Sequence, residues 1–155
     1  MSLIDIETRY RTGTALSEAD KALLEDLIVS SRDEFSVQSA LYIYGASFGP
    51  QNEVTKRADQ FIRHTRVPGL TATCLKVLAD FWSFHEMYRD ELEKFLDYDL
   101  YEEWYDEVTM SVSFYLRHPE LQSKVGKDRL DEVQRKATQA GEVDLIEFFD
   151  EYYKN

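Results

Sequence analysis

Shifting the sequence against itself by 34 residues lays two consecutive apolar stripes on one another. Ala40 falls on Cys74, Leu41 on Leu75, Ile43 on Val77, Tyr44 on Leu78 and Gly45 on Ala79. The same offset carries Val54 to Tyr88, Ala58 to Leu92, Phe61 to Phe95 and Ile62 to Leu96. Within each stripe the apolar residues recur at helical spacing, so one offset matches two helices at once. A further shift of 37 residues places Ser111, Val112, Phe114, Tyr115 and Leu116 on the first helix of a third unit. Its second helix, near Leu130 and Val133, fits only with an insertion. A lone helix pair cannot bury its own apolar face, so neighbouring pairs must stack. The chain is therefore expected to be all-α.

Local signals agree. Ser17 is placed as an N-cap with Asp20 in the capping-box position, ahead of a stripe of Leu23, Leu24, Leu27 and Ile28. Asp33 opens the next helix, with Phe35, Val37, Ala40, Leu41 and Tyr44 expected inward, and Gly45 with Gly49-Pro50 expected to end it. The turn Val67-Pro68-Gly69 precedes a run from Thr71 to Phe84, and stripes through Tyr88–Leu96, Trp104–Tyr115, Leu130–Ala137 and Leu145–Phe149 follow. Counting these stripes gives about nine helices. Only Leu41–Tyr44 could pass for a strand. With 6 Gly and 3 Pro, the composition is too poor in turn residues for a sandwich or barrel. The expected organisation is a single domain over 1–155, with helix pairs near 33–66, 67–100 and 101–140 and capping helices at both ends.

The paired stripes, with a small residue followed by Leu on the first helix, resemble HEAT or armadillo repeats over roughly Asp33 to Ala140. The period is shorter than the usual ~40–47 residues of those families. The resemblance implies a stack of antiparallel helix pairs, and a scaffold for binding.

Charge limits the partners. There are 30 acidic and 18 basic residues, a net charge of −12, which repels a phosphate backbone and argues against nucleic acid. No run of ~18 apolar residues exists to span a membrane. The single cysteine, Cys74, forms no internal disulfide, and Met1–Arg11 carries Asp5 and Glu7 without an apolar run of signal-peptide length. A cytoplasmic protein is expected.

Motifs for chemistry are weak. Gly45-Ala46-Ser47-Phe48-Gly49 matches the G-x-S-x-G pattern, which exposes a nucleophile only on a strand-to-helix turn. The repeat makes the preceding segment helical, so the pattern reads as a helix ending. His85-Glu86 is similar to one ligand pair of HEAT-type di-iron hydroxylases, but the repeat-equivalent pairs Gln51-Asn52 and Gln122-Ser123 lack ligands. His64, His85 and His118 lie far apart in sequence. No cofactor, metal or catalytic residue is assigned, and the chain is not expected to be an enzyme.

Charge placement is more informative. From Glu86 to Glu107 there are ten acids and two bases, and from Glu142 to Asn155 five acids and one base. These two segments hold the whole net charge, for the rest carries 15 acids and 15 bases. Aromatic rings interleave with the acids. The candidate partner-binding set is Asp97, Tyr98, Asp99, Tyr101, Glu102, Glu103, Tyr105, Asp106 and Glu107. Tyrosines give contact area at low entropic cost, and carboxylates pair with Lys and Arg on a partner. The basic residues from Lys124 to Lys136 are expected to pair with neighbouring acids. Together these features point to a binding module for a basic protein. Its most concrete form is an immunity or antitoxin-type inhibitor of a nuclease toxin. An adaptor or regulatory subunit is the alternative, and a metal- or serine-dependent enzyme a more remote one.

Overall fold

Side chains placed to take otherwise orphaned backbone N–H groups set several helix starts. Ser2 and Asp5 form a capping box for α1 (Leu3–Arg11), and Ser17 and Asp20 form one for α2 (Glu18–Ser30). Asp33 accepts the Phe35 N–H at the start of α3 (Glu34–Ser47), and Gln51 accepts the Val54 N–H to start α4 (Asn52–His64). The computed structural model describes residues 1–64, 67, 69–98, 100 and 103–153, with residue 125 by its backbone alone. The described residues form helices joined by turns and irregular segments, without a strand. They form nine α-helices, a π-helical segment and two 3₁₀ turns. The fold is all-α, with Leu41–Tyr44 inside α3.

The helices fall into two compact units, Met1–Glu86 and Met87–Asn155. The division lies inside the second predicted helix pair. In the first unit α3 packs against α1, α2, α5 (Leu70–Leu75) and the π-helical segment Lys76–Phe81 that continues α5. Every residue of α5 is buried. Where α-helical bonding gives way, the Trp82 N–H donates to the Val77 carbonyl at 2.9 Å, an i→i+5 bond. The extra residue per turn re-aims Trp82, whose indole N–H donates to the Phe48 carbonyl at 2.9 Å.

Two expectations for α3 need correction. Gly45 does not end the helix. It is buried within α3, and a Cβ there would stand 2.6 Å from Val77 Cγ2 and 2.7 Å from Cγ1. The glycine is a packing residue that lets α3 approach the π-helical segment, and the helix runs on to Ser47 with Phe48 at its C-cap. Phe35 is not inward: it is 84% exposed. The 3.6-residue period explains this, because Phe35 projects opposite the face formed by Val37, Ala40, Leu41 and Tyr44.

The second predicted pair keeps part of the burial pattern of the first but not its geometry, for Phe61 and Ile62 are half-buried where Phe95 and Leu96 are buried. Val54 and Ala58 on α4 are buried, as are their counterparts Tyr88 and Leu92. Yet α4 is a regular helix of 13 residues, whereas its counterpart is a 3₁₀ turn, His85–Tyr88, leading into the 7-residue α6 (Arg89–Phe95). In the second unit α6 packs on α7 (Tyr105–Arg117). A 3₁₀ turn, Pro119–Leu121, leads to α8 (Lys124–Ala140), capped by Ser123. Gly141, at φ 71°, reverses the chain into α9 (Val143–Tyr152), a left-handed position that favours glycine. α9 packs against both α7 and α8 through buried Leu145 and Phe149.

Asp20 joins α1 to α2. It accepts the Ser17 N–H at 2.8 Å and pairs with Arg9. The backbone hydrogen bond from Ser17, reinforced by its hydroxyl and by Arg9, holds the Asp20 carboxyl below its usual range despite burial. A depressed carboxyl adds stability above its unfolded pKa of roughly 4 and loses it on acidification. Asp20→Asn is therefore expected to lower the melting temperature at pH 7, with the gap to the parent protein closing as pH falls below about 4. Gly45→Ala is expected to cost roughly 1–3 kcal/mol by overpacking, and Val77→Ala in the same chain to recover part of that loss, which chemical denaturation of the four-member cycle measures.

Candidate functional site

The predicted acidic and aromatic set lies in the second unit, and its members have different surroundings. Asp97 is exposed and accepts from Arg129 Nε at 3.3 Å. Arg129 also reaches Glu93 at 3.7 Å, and the Ser123 hydroxyl donates to Glu93 at 3.4 Å. Part of the acidity thus faces the basic helix α8, as the sequence suggests. Tyr98 is half-buried, its ring edge-on to Phe95 and Trp104 with centroids 5.0 and 6.1 Å away. Trp104 stacks on Phe95 at 5.8 Å. Tyr98 and Trp104 therefore contribute ring packing within this unit as well as partly exposed surface.

Glu103 and Asp106 are exposed, and Tyr105 is half-buried at the start of α7. Burial, then the Glu142 carboxylate, pushes the Tyr105 phenol above its usual range. Asp99, Tyr101 and Glu102 lie outside the described residues. Glu107 needs correction: it is fully buried and offers no charge to a partner. The reason lies in α7, which is buried on most of its circumference, from Glu107 and Val108 through Ser111 to Leu116. After Tyr105, its less buried residues form a narrow stripe of Asp106, Thr109, Ser113 and Arg117. Asp106 heads that stripe, while its neighbour Glu107 turns inward.

The most uniform acidic surface is on α9, outside the predicted set. Asp144, Glu147, Asp150 and Glu151 are exposed along one side, and α9 contains no Lys or Arg. Phe148 and Tyr152, stacked at 6.1 Å, flank the acids, and Tyr152 is exposed. The Tyr153 hydroxyl donates to Asp131 of α8, anchoring the end of α9. Burial, then Asp131, pushes the Tyr153 phenol above its usual range. The absence of any base from Glu142 to Tyr153 is the sequence signal that marks this surface.

The residues weighed for chemistry have ordinary settings. Ser47 is exposed on the last turn of α3, after helix rather than strand. His85 Nδ1 lies 3.6 Å from Glu86 Oε1. Among the described residues no three His, Cys, Asp or Glu side chains are grouped as metal ligands. Cys74 is buried in α5, and burial pushes its thiol above the usual range. No described helix is long and apolar enough to cross a membrane. No protein-family model, curated protein or solved structure matches the chain.

Adjacent residues on α7 test the assignment. Glu107→Lys places an ammonium in the core and is expected to cost more than about 2 kcal/mol. Asp106→Lys, at the surface, is expected to cost less than about 0.5 kcal/mol, and thermal denaturation of both variants checks the difference.

Proposed function

We propose that this chain is a binding protein that presents the acidic surface of its second unit to a basic protein. In its most concrete form it is an immunity or antitoxin-type inhibitor that covers the nucleic-acid site of a nuclease toxin. The observation that carries this reading is α9, with four exposed acids, no base, and a stacked aromatic pair beside them. Residues 87–155 hold 18 acids and 9 bases, so −9 of the −12 belongs to this unit. Like charges three and four residues apart destabilise a helix slightly, a cost that α9 bears at Glu147 and Glu151 with no base of its own to offset it. Carboxylates so arranged attract a cationic surface and speed encounter, while Phe148 and Tyr152 supply apolar contact. Glu103 and Asp106 at the start of α7 extend the set. The helix pairs, on this reading, are a HEAT-like scaffold in the cytoplasm, and the chain acts by contact rather than catalysis.

Affinity capture from the source lysate at low salt, followed by a wash at moderate salt, is expected to yield a basic protein that the wash releases, because exposed ion pairs weaken as the Debye length shrinks. With that partner purified, Glu147→Lys with Glu151→Lys is expected to weaken binding at least ~10-fold, about 1.4 kcal/mol. For the inhibitor form, the partner is a nuclease that the parent chain silences and the variant does not. Unchanged affinity in the doubly reversed chain would refute the acidic-surface reading.

A further inference from the structure

Two side chains of opposite charge line one groove of the first unit without pairing. Arg57, Gln60, Phe61 and His64 follow one side of α4 at i, i+3, i+4 and i+7. With Glu34 at the start of α3 they line an open groove of about 420 Å³. Small-molecule sites occupy roughly 300–1,000 Å³. The Arg57 guanidinium lies over the Phe61 ring, 4.4 Å from its centroid. Stacking uses the face of the guanidinium and leaves its N–H edge for an acceptor. Arg57 Nε is buried and has no hydrogen-bond partner among the described residues. A ligand in the groove does not reach that buried donor; the Arg57 Nη groups, which are neither buried nor hydrogen-bonded among the described residues, are the donors open to an acceptor. Glu34 is exposed, and the ion pairs among the described residues include neither Glu34 nor Arg57.

The geometry points to a binding site for a small zwitterion of amino-acid type. Its carboxylate takes the Nη N–H groups of Arg57, its ammonium faces Glu34, and its apolar part lies against Phe61. Gln60 and His64 add an amide and an imidazole at the rim. Other ligand classes fit less well. Inorganic phosphate or a dicarboxylate meets repulsion from Glu34, a simple amine meets repulsion from Arg57, and an apolar molecule displaces water from the Arg57 Nη donors without replacing its hydrogen bonds. The site belongs to the first unit and is independent of the acidic surface on α9.

The test is a titration of the ¹⁵N-labelled full chain, followed by NMR at the Arg57 Nε–H and the α4 amides. The probes are glycine, 4-aminobutyrate and phenylalanine, with acetate, methylammonium and inorganic phosphate as single-charge-sign controls. At least one zwitterion is expected to give saturable shifts at these positions and to bind at least tenfold more tightly than every control. Arg57→Lys and Glu34→Gln, each checked for native amide spectra, are each expected to weaken that zwitterion at least tenfold. The inference is overturned if no zwitterion saturates, if acetate or phosphate binds as tightly, or if Glu34→Gln leaves zwitterion affinity unchanged.

Discussion

The approach of α3 to Val77 is the constraint on which the first unit depends. α5 is buried on every side, so its neighbours must close around it without gaps. A side chain at position 45 would hold α3 away from the segment that follows α5, since even a Cβ meets both Val77 methyl groups. Beyond this contact the π-helical turn re-aims Trp82 to bond the Phe48 carbonyl at the end of α3. Tyr44, one residue before the glycine, sets its ring edge-on to Trp82 at 6.1 Å and donates its hydroxyl to Glu25 of α2 at 2.7 Å. A glycine, an irregular helical turn and two hydrogen bonds thus connect α2, α3 and α5.

The second unit solves a different problem, that of excess negative charge. Some acids are used internally: Glu93 and Asp97 meet Arg129, Asp131 accepts from Tyr153, and Glu107 is buried. Arg135 pairs with Glu132 on α8 itself, so this base is engaged locally. α9 has no such compensation within its own length. Its apolar side is held by α7 and α8, and its acidic side is exposed. The proposed function rests on that asymmetry.

Much of this was legible in the sequence. The capping signals at Ser17 and Asp33, and the helical stripes, lead to the all-α architecture because caps and period-3.6 burial act locally. The 34-residue offset correctly pairs buried positions such as Ala58 and Leu92, but it carries no information on helix regularity, so the π-helical segment and the short α6 were not foreseeable from it. Gly45 was misread because a glycine near a helix end signals a C-cap locally, whereas its role here comes from Val77, 32 positions later in the chain. Glu107 was misplaced because charge suggests exposure, while the burial of α7 on most sides is a tertiary fact. The acids of α9 were visible as a count; that they share one exposed side emerged only with the burial of Leu145 and Phe149.

The most direct test of the central claim is hydrogen–deuterium exchange of the full chain, with and without the basic protein it captures. The account predicts slowed exchange concentrated in α9 and the start of α7, with α1 to α4 unchanged. Slowed exchange confined to α1–α4, with α9 exchanging as in the free chain, would contradict it.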